Sequence, residues 1–373
     1  MLADILADTE EMVRCESPSS DAAALARSAD VVARLGTRRL GAEPERLGIH
    51  LRWRLGAEPS RVLLLGHHDT VWPLGSLATH PCTVDGTVDG GVLRGPGCFD
   101  MKAGLALAFH VAAGRSGVTL LVTGDEELGS PGSRELIEEE ARAAEVALVL
   151  EASAPGGALK TERKGVSVYE VEVTGRAAHA GLEPERGHNA TVELAHQVLA
   201  IAALADAERG TTVTPTLMSA GTARNTVSAK GFVAVDVRVR TASEQDRVDV
   251  AMRALRPVVP GTRLDVRGGP NRPPLAASAS VGLFTRAARI AAELGQPPLA
   301  GVAVGGGSDG NLTAGVGTPT LDGLGAVGGG AHADDEHVLV GELVPRAALL
   351  SALLDELLAA PTKTAPAAGS PRP

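Results

Sequence analysis

RVLLLGHHDTV, residues 61–71, decides the fold. Four apolar residues run without a break and then give way to two histidines and an acid. A strand buried on both faces of a parallel sheet reads as such a run, with its polar residues delivered at its C-terminal end. The same design returns in VTLLVTGDEELGS (118–130) and in VALVLEAS (146–153). Between the strands, DMKAGLALAFHVAAG (100–114) and ELIEEEARAA (135–144) carry helical spacing. Strand–helix alternation predicts an α/β domain with a mostly parallel mixed sheet, covered on both faces. Such sheets bind ligands beyond the carboxyl ends of their strands. Three strands end there in His67, in Glu126–Glu127 and in Glu151.

Residues 2–14 and 20–40 also show helical spacing. After about residue 165 the pattern changes. VSVYEVEVTG alternates with period two, and a helix (188–206), strands (211–219, 229–240), a helix (244–257) and a strand (262–268) follow. That order is β-α-β-β-α-β, the ferredoxin-like motif, in a segment of ordinary domain size. Proline-rich NRPPL (271–275) marks the exit, before a helix (280–294), glycine-rich loops and a closing helix (341–359). The expected parse is a catalytic domain at 1–165 and 274–360, an inserted lid domain at 166–273, and a disordered tail at 361–373.

A chain of 373 residues, 44% apolar, is long enough for a large core. Its net charge of -10 speaks against a nucleic-acid partner, although a few local cations suffice for a small anionic substrate. Cys15, Cys82 and Cys98 are too few and too scattered for a disulfide framework. MLADILADTEEMVRCES lacks the basic start and apolar core of a signal peptide, and no run of about 18 apolar residues predicts a membrane span. A cytoplasmic enzyme fits these traits.

Taken singly, the candidate ligands have ordinary readings too. Asp69 lies two residues beyond His67, on the same side of a strand, where it can orient the ring or form a structural pair with it. His68 points the other way and reads as structural. Asp100 stands where a helix N-cap would, or where an anionic bridge between two cations would. Asp125, Glu126 and Glu127 form either a solvated loop or a site in which one glutamate binds metal and its neighbour takes a proton. His332, in a glycine-rich loop with acids, reads alone as a surface histidine.

GHHDTV, GPGCFDMKAG, TGDEELGS, VLEAS, GRAAHAG, GTARNTVS, VDVRVR, GGGSDGN and GGGAHADDEHV occur in an order and spacing with a counterpart. Over about residues 5–358 the chain resembles the zinc carboxypeptidase and deacylase family. That family includes glutamate carboxypeptidase, acetylornithine deacetylase, succinyl-diaminopimelate desuccinylase and aminoacylase. GGALKTERKG and HAGLEPERGHNA look closest to the glutamate carboxypeptidase branch.

The resemblance implies two zinc ions, with cobalt or manganese also suited to such donors. His67 and Glu151 would hold one ion, Glu127 and His332 the other, and Asp100 would bridge them. Asp69 would orient His67, and Glu126 would act as general base. The Asp100–Met101 bond would be cis. His179 would support the oxyanion from the lid, contributed in dimeric relatives by the partner subunit. Asn225 and Arg238 would hold a substrate carboxylate, and Gly307 would approach the substrate through its backbone. A homodimer joined through the lid is expected.

Two positions depart from the family pattern: Ala152, where proline is common, and His188, where an apolar residue is usual. The implied substrate is a small molecule or short peptide with a free carboxylate, cut by a carboxypeptidase-like metallopeptidase. An N-acyl amino acid deacylase and a non-catalytic metal-binding relative are the alternatives. GGGSDG and RGPGCFD also suggest nucleotide binding, but neither is a G-x-G-x-x-G turn between strand and helix.

Overall fold

The change of periodicity near residue 165 corresponds to a change of structural unit. In the computed structural model, which describes residues 1–56, 60–86 and 90–360, the chain divides into two. The first unit comprises Met1–Thr161, Ala277–Val302 and the chain from Leu312 onward; the second comprises Glu162–Ala276 and Ala303–Asn311. The tail 361–373, expected to be disordered, lies outside the described residues.

The elements of the first unit begin with α1 (Leu2–Val13), α2 (Ala22–Leu40), β1 (Glu45–Leu47), β2 (His50–Leu55) and β3 (Val62–His67). Then come α3 (Ala103–Ala112), β4 (Val118–Thr123), α4 (Arg134–Ala143) and β5 (Val146–Val149). The second unit contributes β6 (Gly165–Thr174), α5 (Ala190–Ala202), β7 (Thr212–Ala220), β8 (Lys230–Val239), α6 (Ala242–Arg253) and β9 (Arg263–Arg272). The chain returns to the first unit with α7 (Ala277–Glu293), β10 (Thr320–Leu321) and α8 (Leu343–Ala359).

The main sheet of the first unit runs β1-β2-β4-β3-β5-β10. β3 pairs in parallel with β4 and β5, and β5 with β10, whereas β2 joins β4 antiparallel. Every residue of β3 and β4 is buried, which explains their unbroken apolar runs. The α3 helix is buried almost all round, so its sequence shows no amphipathic stripe. It packs through Phe109 edge-on against Trp53 of β2, with ring centroids 5.6 Å apart. β1, of three residues, leaves no clear signal, whereas HLRWRL alternates Leu51, Trp53 and Leu55 with Arg52 and Arg54, the period-two pattern of a half-buried strand, which the expected parse omits.

Glycine allows the closest approach in this unit. A Cβ at Gly104 of α3 would lie 2.2 Å from the Leu150 carbonyl oxygen, and one at Gly325 would lie 2.1 Å from the same atom. The peptide that leads into Glu151 is therefore gripped from two sides.

The second unit is a four-stranded antiparallel sheet, β7-β8-β6-β9, built in the expected β-α-β-β-α-β order. Val233, Val235, Val237 and Val239 of β8 point into a core shared with Leu194 of α5 and Val248 of α6. Strand alternation puts Asp236 and Arg238 on the other face. Ala303–Asn311 packs with this unit, whereas the sequence pattern alone places it in the catalytic domain. Buried polar contacts explain the difference. The Arg272 guanidinium meets the Asp309 carboxylate at 3.0 Å, and Asn311 Nδ2 donates to the carbonyls of Lys164 (3.1 Å) and Pro273 (2.7 Å). Such long-range bonds leave no periodic trace in the sequence. Among the described residues no helix is long and apolar enough to cross a membrane.

Replacing Gly104 or Gly325 by alanine is expected to lower stability by about 1–3 kcal/mol, because backbone must yield to the new methyl. A methyl group added at Gly282 of α7 would meet nothing within 4 Å, so Gly282→Ala should raise stability by about 0.5–1 kcal/mol. Urea unfolding of the three variants checks both signs.

Candidate metal centre

The acids and histidines of the centre sit at the ends of regular elements or in irregular turns beside them. β3 delivers His67 at its last residue, and the His67 amide faces Met101 Sδ at 3.3 Å. Asp100 lies in an irregular turn, with φ -116° and ψ 94°, before α3 begins at Ala103. It is therefore not the helix cap that its position suggests. The Asp100–Met101 bond is cis, as the resemblance implies. Glu126 and Glu127 occupy a single helical turn after β4, and Glu151 lies two residues beyond β5. His332 has φ +62°, a left-handed conformation uncommon outside glycine, in the loop between Gly328–Gly329 and His337–Leu339.

These turns gather the predicted ligands. His67 Nε2 is 3.4 Å from Asp100 Oδ1 and 3.6 Å from Glu151 Oε1. His332 Nε2 is 3.4 Å from Asp100 Oδ2 and 3.2 Å from Glu127 Oε1. The two oxygens of Asp100 thus face two separate histidine–glutamate pairs. Glu126 is buried and offers an oxygen within 4.8 Å of ligand atoms of His67 and Glu151. Distance alone therefore does not separate it from the ligands.

The donors fit divalent cations. His67 Nε2 and Asp100 Oδ1 are buried without a hydrogen-bond partner among the described residues. Ligand atoms about 2.0–2.1 Å from a tetrahedral ion stand about 3.3 Å from one another, close to the separations found here. Imidazole and carboxylate together suit zinc, and also cobalt or manganese.

Electrostatics agrees. Burial lowers the proton affinity of His67, but Asp100, Asp69 and Glu151 more than reverse this and raise it well above the ordinary value. Asp100 and Glu127 carry His332 up to about 10 against the opposing effect of burial. Burial pushes the Glu127 carboxyl up. Without cations, both imidazoles hold protons at neutral pH.

Asp69 does more than orient a ring. Its Oδ1 is 3.3 Å from His67 Nδ1, though the shorter contact of that nitrogen is the Asp69 backbone carbonyl at 2.9 Å. The same carboxylate accepts the amides of Glu126 and Glu127, each at 3.2 Å, and the Ser19 hydroxyl at 2.7 Å. Burial works against its charge, but these partners bring its pKa down to about 2. His68 is structural, as its alternation with His67 suggests: its ring meets Ser28 Oγ and the Ile49 carbonyl, and burial holds its pKa at about 4. Asp125, one of three consecutive acids in the sequence, accepts from the Gly132 amide and from Ser133, and so secures the approach to α4. The small polar turn residues of SPGS are the available clue to that role.

His179, Asn225, Arg238 and Gly307 lie in the second unit. The Ala180 amide donates to the Asn225 carbonyl at 2.8 Å, so the His179 and Asn225 loops run side by side. His179 Nδ1 accepts from the amides of Gly181 and Leu182, both at 3.1 Å. In the neutral ring the proton then sits on Nε2. Arg238 makes a two-pronged pair with Asp236 at 2.8 and 2.9 Å, a partner that the VDVRVR motif contains but that the family pattern does not single out. A Cβ at Gly307 would lie 2.8 Å from Val166. The His188 ring lies against Gly261, and its backbone pairs with Arg176.

Comparison with known proteins bears on this centre. The profile of peptidase family M20/M25/M40 matches residues 63–356. Carboxypeptidase G2 of Pseudomonas sp. is 32% identical over 314 residues, covering 80% of this chain and 74% of that protein. A succinyl-diaminopimelate desuccinylase of Rhodospirillum centenum is 30% identical over 394 aligned residues, covering 96% and 98%. The structure of the metallo-carboxypeptidase Sso-CP2 of Sulfolobus solfataricus superposes with a TM-score of 0.74 at 14% identity, covering 95% of this chain and 99% of that one, a likeness of fold.

A pH dependence follows from the raised imidazoles. Zinc must displace the protons that His67 and His332 hold, so adding zinc to metal-free protein at pH 7 should release protons. Apparent affinity should then fall as pH is lowered, by up to about tenfold per pH unit for each proton displaced. Titration in a weak indicator buffer reads the release, and zinc binding without it would contradict these proton affinities.

Proposed function

The chain belongs to peptidase family M20/M25/M40, and on that premise we propose that it is a two-zinc hydrolase cutting an amide bond beside a free carboxylate, in the manner of a glutamate carboxypeptidase. One observation carries the reading: the two oxygens of Asp100 face two different histidine–glutamate pairs. His67 and Glu151 would hold one ion and Glu127 and His332 the other, with Asp100 shared between them. When bound, the ions polarise the amide carbonyl and lower the pKa of the attacking water toward about 7.

The chain's own residues do the rest. Glu126 takes the proton of the water and passes it to the departing nitrogen. Asp69, through the amides of Glu126 and Glu127, keeps base and ligand in register. His179 donates its Nε2 proton to the oxygen on which negative charge grows. Arg238 exchanges Asp236 for the substrate carboxylate, a geometry its planar fork suits. Asn225 adds a donor, and Gly307 leaves space for the substrate beside its backbone.

The second unit also serves as a dimerisation platform in this reading. Its edge strand β7 exposes Leu217 and Met218, a surface suited to pairing with a second copy. A cytoplasmic location suits the three free cysteines. A second reading, N-acyl amino acid deacylase, draws on the desuccinylase likeness, which spans nearly the whole chain.

A substrate panel tests the assignment. C-terminal glutamyl amides such as p-aminobenzoyl-glutamate should be cleaved at least tenfold faster than N-acetylornithine or N-succinyl-diaminopimelate. The reverse preference assigns the deacylase, and cleavage of none overturns both readings. Chelation should abolish turnover and zinc should restore it.

Glu126→Gln should keep its zinc and lose about 10²–10⁴-fold in kcat. His179→Ala should lose about 10²–10³-fold. An unchanged rate in either variant removes that residue from the mechanism.

A further inference from the structure

We infer that Glu336 is a positioning residue that fixes the bridging carboxylate of Asp100 relative to His332. Its carboxylate is 3% exposed and carries four hydrogen bonds. Oε1 accepts from the amides of Phe99 (2.9 Å) and Asp100 (3.0 Å). Oε2 accepts from the amide of Gly97 (3.0 Å) and from Trp72 Nε1 (2.6 Å). Among the described residues no cationic side chain lies within salt-bridge distance of it. Three of its four donors are backbone groups of the turn that ends in Asp100. A buried carboxylate is tolerated only when its oxygens are fully bonded, so the turn and the carboxylate fix each other.

Glu336 also belongs to the other half of the centre. His332 lies four residues earlier in the same loop. That loop is anchored just after Glu336, where His337–Leu339 pairs with Val92–Arg94, the strand leading to Asp100. Neither ligand has a regular backbone: His332 is left-handed and Asp100 is non-helical within its turn. The strand pairing aligns the two segments, and Glu336 sets their final separation, 3.4 Å between Asp100 Oδ2 and His332 Nε2. His67 and Glu151 reach the centre from β3 and β5 and make no hydrogen bond to Glu336.

The consequence is selective. Losing the clamp should loosen the ion that Glu127, His332 and Asp100 would hold more than the one that His67, Glu151 and Asp100 would hold, because His332 is displaced together with the shared Asp100. Outlying partners of metal ligands are worth about 10–100-fold in metal affinity. Glutamine is the informative replacement. It keeps the shape but removes the charge, and its amide group turns a donor toward donors.

The inference rests on the two-zinc reading, and chelator-competition titration of the full-length protein tests it apart from catalysis. In Glu336→Gln one of two zinc ions should bind about 10–100-fold more weakly while the other keeps its parental affinity. Excess zinc should then restore kcat with KM little changed. Trp72→Phe, which removes one donor, should shift the same ion in the same direction by less. Two parental affinities in Glu336→Gln, or an equal weakening of both ions, would overturn the assignment. If Glu336→Gln does not fold, Trp72→Phe decides on the same two criteria.

The two readings fail separately. A parent protein that binds two zinc ions but cleaves nothing sinks the proposed function alone. Unchanged affinities in the variants sink the clamp alone. A parent that binds a single ion sinks both.

Discussion

Four carboxylates converging on two imidazoles repel one another, and the first unit is built to hold them together. Asp100, Glu126, Glu127 and Glu151 come from three different turns; those of Glu126–Glu127 and Glu151 follow buried strands, and that of Asp100 leads into the buried helix α3. The surrounding bonds mostly run from backbone amides to carboxylates that are not themselves ligands. Asp69 takes the amides of Glu126 and Glu127, and Asp125 takes Gly132 and Ser133. This division of labour keeps the ligand oxygens available. A carboxylate saturated by amides makes a good strut and a poor ligand, because its lone pairs are already committed.

Much of this is legible in the sequence because parallel strands announce themselves. Unbroken apolar runs ending in His67, Glu126–Glu127 and Glu151 declare both the sheet and its functional edge. The βαββαβ order of the second unit is also open, since strands such as Gly165–Thr174 and Lys230–Val239 alternate with period two. Asp100 is not legible by the same means. An acid before a helix reads as a cap, and only the turn geometry reveals that α3 begins three residues later. Asp125, Glu126 and Glu127 are a run of identical charge to the eye. The fold separates them by what each one touches. The assignment of Ala303–Asn311 to the second unit hangs on Arg272, Asp309 and Asn311, contacts between residues far apart in the chain, which no local pattern encodes.

Two polar side chains of the second unit, His179 and Arg238, are already engaged by internal partners. His179 is held in one tautomer by two amides, which leaves its outer nitrogen as a donor. Arg238 is already engaged by Asp236, so any anion that it binds must displace an internal carboxylate. Such an exchange favours ligands that can satisfy both prongs of the guanidinium together, and it discriminates against a singly bonding group.

The glycine grip on the Leu150 carbonyl limits how this scaffold can vary. With Gly104 on one side and Gly325 on the other, the backbone entering Glu151 has little slack, and a side chain introduced next to it must displace backbone. The metal pocket is thereby closed to gradual remodelling from behind. Glu151 is thus seated on a backbone held at two glycines, neither of which admits bulk without a backbone shift.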